Sequence, residues 1–318
     1  MNLAICCLIK DTPEYLLNEF IKHHLSIGVD DIYFIVDINS KPIQFNASLN
    51  VHLLYVEQFG NLKRMDDGLK YSFNRNLRQL QIYRFFYEMY KDKHDWIAII
   101  DDDEFLHIDK NELEKYSAIG ISGICIPWKI KVAKDICTCK NLFAGRFYDI
   151  PYNAFYNEIK TCSIYKSIVN THVCKQIETV HYGDTNCIDP CIGKVLCFGL
   201  NSENNPVYCP IFRTFTDEKI LAFYNHLIQR DTWYIDHYFV RSFQEWLERI
   251  YERGDVLNIT DEKGNTRGNR NLYDYYKYLD EQPNFDDVVS KIKQTKRIDL
   301  LCKIRDMIIR KERTIYDL

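Results

Sequence analysis

Residues 95–108 read DWIAIIDDDEFLHI: five apolar residues, Trp96 to Ile100, run directly into Asp101, Asp102, Asp103 and Glu104. A short, unbroken apolar run reads as a strand covered on both faces, as strands of a parallel sheet are. This strand delivers four carboxyl groups to one spot. Neighbouring carboxylates repel by roughly 1 kcal/mol per pair at 4 Å in water and about 4 kcal/mol near a protein surface. A positive partner is therefore expected at the carboxyl end of this strand. If the chain stays extended through Asp103, alternation sends Asp101 and Asp103 to one side and Asp102 to the other.

The upstream sequence supplies the rest of a sheet. LAICCLI (3–9) reads as a first strand, and TPEYLLNEFIKHHLSIG (12–28) as a helix. Thr12 is its expected N-cap, Pro13 its first residue and Gly28 its stop, with Leu16, Leu17, Phe20, Ile21, His24 and Leu25 along the apolar face. DIYFIVD (31–37) and VHLLYVEQ (51–58) are expected strands, and residues 72–91 a helix leading into WIAII. A strand–helix–strand unit implies parallel pairing, so the acidic run lies where open α/β sheets bind ligands, outside the carboxyl ends of the strands.

Downstream, GICIPWKI, KTCSIYKSIV and IETVHYG read as extra strands completing one side of the sheet. TFTDEKILAFYNHLIQRDTWYIDHYFVRSFQEWLERIYERG reads as mainly helical, broken near Asp231. Residues 290–314 read as an amphipathic basic helix with about six net positive charges. The expected organisation is a catalytic core over 1–200, a helical segment over 201–255 that completes the site, and a basic helical extension over 256–318.

Composition narrows the function. The 318 residues carry a formal charge of −4 and are 46% hydrophobic, which supports a large core and gives no electrostatic reason for nucleic-acid binding. No apolar run approaches the roughly 20 residues of a membrane span, and MNLAICCLIKD lacks a basic region and a cleavage site, so a cytoplasmic protein with reduced cysteines is expected. Cys137/Cys139 and Cys187/Cys191 lack the C-x2-C spacing of a strong zinc site. The 23 tyrosines and 18 phenylalanines suit sugar faces and core packing equally.

Carboxylate-rich sites prefer hard cations, and Mg2+ or Mn2+ takes one or two protein carboxylates while substrate phosphates and water fill its octahedron. Asp101 and Asp103, as a D-x-D at a strand tip, fit that pattern: one holds the metal, and the other positions a ribose hydroxyl or a metal-bound water. A metal so held neutralises a leaving diphosphate. The plain alternative is an acidic turn capping a following helix.

IKDTPEYLLNEFIKHHLSIGVDDIYFIVDINS, WIAIIDDDEFL, KSIVNTHVCKQIETVHYG and IDHYFVRSFQEWLERIYERGD, in that order, resemble family 92 glycosyltransferases and their bacterial family 2-like relatives over roughly residues 3 to 255. The resemblance implies an α/β fold of GT-A type, a mixed, mostly parallel sheet with helices on both faces, followed here by the helical extension. It also implies a divalent metal, a nucleotide-sugar donor and inversion at the anomeric carbon. Position by position, Asp101 and Asp103 match the D-x-D pair, Asp37 with Ser40 the donor-side turn, and His181 and His237 the two characteristic histidines. The chain departs from the pattern at KDTPEY, where Asp11 and Thr12 replace the family's usual residues before the first helix, and at Arg241, where the family prefers lysine.

His181 is a candidate for the metal shell or a hydrogen-bonded structural histidine. His237 is a candidate for metal or diphosphate contact, or for orienting Asp236. An inverting transfer needs a carboxylate base, and Glu158, Asp184 and Asp236 are the candidates. Asp11 and Arg241 are candidate donor contacts, and Lys166, Lys175 and Arg213 read as phosphate partners or surface cations. The expected activity is metal-dependent transfer of a hexose from a UDP-sugar, favoured over a GDP-sugar, to a hydroxyl of a glycan or glycolipid acceptor in surface polysaccharide or lipooligosaccharide synthesis. Its alternatives are a sugar-phosphate nucleotidyltransferase and a non-catalytic carbohydrate-binding protein of the same fold. The basic helix is compatible with peripheral contact at an anionic membrane surface, or with packing on the catalytic domain or on a second subunit of a homo-oligomer.

Overall fold

The computed structural model describes residues 1–38, 40–45, 48–59, 71–118, 120–133, 141–145, 147–149, 165–177, 186–189, 194–197, 231–242, 245, 259–260 and 266–267. In chain order the strands are β1 (Leu3–Ile9), β2 (Asp31–Val36), β3 (Val51–Tyr55), β4 (Trp96–Ile99), β5 (Glu104–His107), β6 (Gly123–Ala133), β7 (Phe147–Asp149), β8 (Tyr165–Asn170), β9 (Asn186–Asp189), β10 (Lys194–Cys197), β11 (Tyr234–Val240), β12 (Ile259–Thr260) and β13 (Thr266–Arg267). The helices are α1 (Glu14–Ser26), α2 (Tyr71–Tyr90) and α3 (Leu113–Ser117). The protein is a mixed α/β structure.

The chain divides into two compact units, Met1–Ile130 with Phe155–His237, and Lys131–Ala154 with Tyr238–Leu318. In the first, the sheet runs β3-β2-β1-β4-β8-β6-β9-β10. The pairs β3–β2, β2–β1 and β1–β4 are parallel, whereas β8 is antiparallel to both β4 and β6. The parallel character read from the sequence thus holds for one half of the sheet. In that half β1 pairs β2 on one side and β4 on the other, so the order reverses direction between β1 and β4 and leaves a crevice at their carboxyl ends.

Helices cover both faces of this sheet. Tyr33 and Ile35 of β2, with Ile97 and Ile99 of β4, join Ile82, Tyr83, Phe86 and Tyr87 of α2 in one buried cluster. Phe34 points to the opposite face, as strand alternation requires, and its ring meets Phe20 of α1 at 5.6 Å. The continuous apolar runs of β1 and β4 follow from this double cover: Leu3, Ala4, Ile5, Trp96, Ile97 and Ala98 are all fully buried.

Pro13, rather than Thr12, is the N-cap residue of α1, and no side chain caps it. At the other end Gly28 N–H bonds Leu25 O at 3.1 Å and Val29 N–H bonds His24 O at 3.1 Å, the paired bonds of a Schellman stop. Gly28 adopts φ of +89°, and an added Cβ would meet the Lys110 side chain at 3.2 Å. Gly28→Ala is expected to lower unfolding free energy by about 1 to 2 kcal/mol, read from urea denaturation.

Three expectations are corrected. The acidic run does not stay extended: Glu104 N–H bonds Asp101 O at 3.1 Å, closing a tight turn before β5 begins. Residues 234–240, expected within a helical segment, form β11, which pairs antiparallel with β5 from Tyr234↔His107 to His237↔Glu104. The reason is composition: Tyr, Ile, Tyr, Phe and Val suit a pleated, half-buried surface. Lys166, read as a phosphate partner or a surface cation, is 1% exposed.

In the second unit β7 pairs the end of β6 from Lys131↔Asp149 to Ala133↔Phe147, Phe147 packs its ring against Tyr238 at 4.8 Å, and β12 pairs β13. The basic segment 290–314 lies outside the described residues. Among the described residues no helix is long and apolar enough to cross a membrane, and Cys6, Cys7, Cys125 and Cys174 are buried and in no disulfide.

Candidate functional site

The loops after β1, β2 and β4 meet at the crevice. Asp37 N–H bonds Ile9 O at 2.9 Å and Ser40 N–H bonds Asp37 O at 3.2 Å, which curls the loop after β2 over the end of β1. Asp11 N–H donates to Ser40 Oγ at 3.1 Å, and Asp11 Oδ1 accepts from Lys41 N–H at 2.7 Å. Asp11 stands at φ of +52°, a left-handed conformation that aspartate tolerates better than most residues. Asp11, Asp37 and Ser40 are therefore linked by hydrogen bonds into one cluster. Thr12 Oγ1 donates to Asp102 Oδ2, tying the loop after β1 to the acidic turn.

Each acid of the turn has a partner, and Asp101 and Glu104 share one. Asp101 Oδ2 lies 2.9 Å from Lys166 Nζ, while its Oδ1 accepts from Gln79 Nε2 at 3.2 Å and Tyr83 OH at 3.4 Å. Asp103 Oδ1 lies 3.6 Å from His237 Nε2, with both side chains at most 6% exposed. Glu104 is fully buried; its Oε2 accepts from Asp101 N–H at 2.9 Å and lies 3.4 Å from Lys166 Nζ. Glu104 Oε1 meets no hydrogen-bond partner among the described residues.

The electrostatics follow from burial. Desolvation pushes the Glu104 carboxyl well above its usual range, with the neighbouring charges of Asp101 and Asp103 adding to the rise and Lys166 opposing it. Desolvation by itself would lower Lys166, but the paired carboxylates of Asp101 and Glu104 outweigh it and hold the ammonium protonated, above its ordinary range. Asp102 is 8% exposed, so Thr12→Val, which removes its hydroxyl donor, is expected to cost about 1 to 3 kcal/mol in chemical denaturation.

β5 carries the turn and is held on both edges. One edge pairs β11. On the other, Leu106 N–H donates to His24 Nε2 at 3.1 Å and Leu106 O accepts from His23 Nε2 at 2.7 Å. His24 Nδ1 donates to Phe20 O at 2.8 Å, which leaves Nε2 free to accept. Two imidazoles of α1 thus satisfy the backbone where a neighbouring strand otherwise would.

The remaining candidates fall in different places. Asp236 Oδ2 lies 3.1 Å from His107 Nε2; as the residue before His237 in β11, it projects from the other face of the strand. Arg241 is 5% exposed, belongs to the second unit, and donates to Glu245 Oε1 at 2.5 Å, while Glu245 N–H bonds Ser242 Oγ at 3.0 Å. Glu158, Asp184, His181 and Arg213 lie outside the described residues. Among the described residues no cluster of three or more His, Cys, Asp or Glu side chains is arranged to hold a metal.

Sequence reasoning missed His23, His107 and the α2 pair Gln79 and Tyr83 as parts of this region, and it named Lys166 without its burial or its pairing with the acids. For Lys166 a signal was present: a lysine inside SIYKSIV interrupts an apolar strand, and lysine is almost never fully buried without a partner.

No family model matches the chain, and no curated protein matches it. Among solved structures the chain is similar to the crystal structure of HddC from Yersinia pseudotuberculosis, with 10% identity and a TM-score of 0.22 over 42% of this chain and 60% of that one. The chain thus spans less than two thirds of that structure, and an overlap this loose carries no weight for fold or function.

Proposed function

We propose that this chain is a metal-dependent glycosyltransferase of GT-A type that transfers a hexose from a UDP-sugar to a hydroxyl of a glycan acceptor. The observation that carries the reading is the buried meeting of Asp103 with His237, 3.6 Å apart, on an acidic turn at the carboxyl end of β4, beside the point where the strand order reverses. That is where open α/β sheets bind ligands.

The residues present fit a divalent ion. Asp103 offers an oxygen and His237 a nitrogen; their 3.6 Å separation is longer than a good hydrogen bond and wider than the roughly 3 Å between adjacent ligands of an octahedral ion at 2.0–2.1 Å, so the two would close by a small side-chain movement on taking up the ion. In this reading Asp103 and His237 hold Mn2+ or Mg2+, and His181 is a further candidate. A bound divalent ion supplies neutralising charge for a departing nucleoside diphosphate.

The chain's own residues do the rest. Asp11, Asp37 and Ser40, tied together by the loops after β1 and β2, form the donor side, with their polar groups toward the nucleotide. The Thr12–Asp102 bond keeps that side in register with the acidic turn. The base that takes the acceptor proton is one of Glu158, Asp184 and Asp236, and the contact of Asp236 with His107 ranks it below the other two.

A panel of UDP- and GDP-sugars, with and without Mn2+, tests the reading by thermal shift and by release of nucleoside diphosphate. Stabilisation reports binding directly. A UDP-sugar that raises the melting temperature only when Mn2+ is present supports the proposal. A protein that neither binds nor hydrolyses any sugar nucleotide overturns it.

A further inference from the structure

The sequence raises the expectation of a positive partner for four consecutive acids, and part of that partner is built into the chain. Lys166 sits on β8, with Ile126 of β6 across from it on one side. On the other side β8 runs antiparallel to β4 from Trp96↔Asn170 to Ala98↔Ile168. Continuing that register brings Lys166 level with the end of β4, where the acidic turn starts. The side chain is 1% exposed, so its methylene stem is enclosed and its ammonium has no route to bulk water. Nζ lies 2.9 Å from Asp101 and 3.4 Å from Glu104.

This arrangement divides the acids into two kinds. Both oxygens of Asp101 are engaged, Oδ2 by Lys166 and Oδ1 by Gln79 and Tyr83. A dication bound there would have to displace a buried ammonium or lie within a few ångströms of it, and like charges at that range repel. Glu104 is fully buried, and its Oε1 has no hydrogen-bond partner among the described residues, so the Lys166 charge is what makes its burial tolerable. Asp103 instead faces an imidazole, which can give a lone pair to a metal as a fixed ammonium cannot.

We propose that Lys166 is a resident counter-cation that withdraws Asp101 and Glu104 from metal binding, leaving Asp103, with His237, as the protein carboxylate that meets a divalent ion. The second half of this statement rests on the metal-dependent reading above. In it Lys166 is a positioning residue: it fixes Asp101 at the mouth of the crevice as a hydrogen-bond acceptor for substrate, not as a ligand.

Two measurements on the full chain test the proposal. The first is titration with Mn2+ alone, followed by the electron paramagnetic resonance of free Mn2+. Asp101→Asn is expected to change the dissociation constant by less than about threefold, and Asp103→Asn to weaken it at least about tenfold. Equal losses in the two variants overturn the proposal.

The second measurement is a thermal cycle in chelator, without metal. Lys166→Met is expected to lower Tm by about 10 °C, because it leaves a buried carboxylate without its partner. Adding Asp101→Asn and Glu104→Gln to it is expected to recover at least half of that loss. A triple variant that folds where the single one does not counts as recovery, and a triple variant that melts no higher than the single one overturns the counter-cation role. If the wild-type chain takes up no Mn2+, the metal-dependent reading and the second half of the proposal fall together, and the thermal cycle alone decides whether Lys166 is the counter-cation.

Discussion

Asp103→Asn is expected to abolish the Mn2+-dependent stabilisation by UDP-sugar, weakening metal-dependent donor binding by at least about a hundredfold, or roughly 3 kcal/mol. The substitution keeps the volume of a side chain that is only 2% exposed and removes only the charge. A carboxamide oxygen is a much poorer ligand for a hard dication than a carboxylate. The fold is expected to survive, because Asp103 is bracketed by the turn bond from Glu104 N–H to Asp101 O and by the pairing of β5 with β11, neither of which uses its side chain. The measurement is thermal shift with UDP-sugar at increasing Mn2+. Wild-type-like dependence on Mn2+ in the variant would remove Asp103 from the role assigned to it.

The parallel half of the sheet was legible because each step has a local cause. LAICCLI, IYFIV and WIAI are unbroken apolar runs, and α1 announces its end with Gly28. The need for a positive partner at the acidic turn was legible for the same reason, since four adjacent carboxylates have a cost that needs a remedy, and Lys166 is such a partner. The turn's conformation was not legible, because the turn is closed by Glu104 reaching back to Asp101 N–H, and a side chain's choice of a backbone partner leaves no periodic trace. β11 was hidden inside a stretch whose flanks carry helical spacing; its own alternation of Ile235, His237 and Phe239 with Tyr234, Asp236 and Tyr238 is that of a strand. Lys166 shows the limit most plainly. Its partners are 65 and 62 residues away in sequence, and only the antiparallel return of β8 beside β4 brings it to them.

Stability is expected to fall steeply as pH drops below about 6.5, and His23 and His24 are the cause. His23 is pushed down to about 4, chiefly by burial, with the Leu106 carbonyl opposing and the nearby His107 adding to the fall. His24 is also driven well below its ordinary value, again by burial first. A histidine whose folded pKa is depressed binds fewer protons in the native state than in the unfolded one, so stability rises with pH through that window. Its full contribution is present above 6.5 and is lost as pH falls through the folded value.

For His23 alone the loss between pH 7 and pH 4 is about 3 kcal/mol. His24 adds to it for a structural reason: its Nε2 accepts Leu106 N–H, and a protonated ring has no lone pair there, so protonation breaks the bond outright. The edge of β5 that carries Glu104 then loses its support. Urea denaturation at pH 7.5, 6, 5 and 4.5 measures the effect against His23→Gln/His24→Gln, in which neither group titrates. The wild type is expected to lose at least about 2 kcal/mol more than the double variant over that range. Parallel curves for the two proteins would show that the histidines do not set the acid limit of this fold.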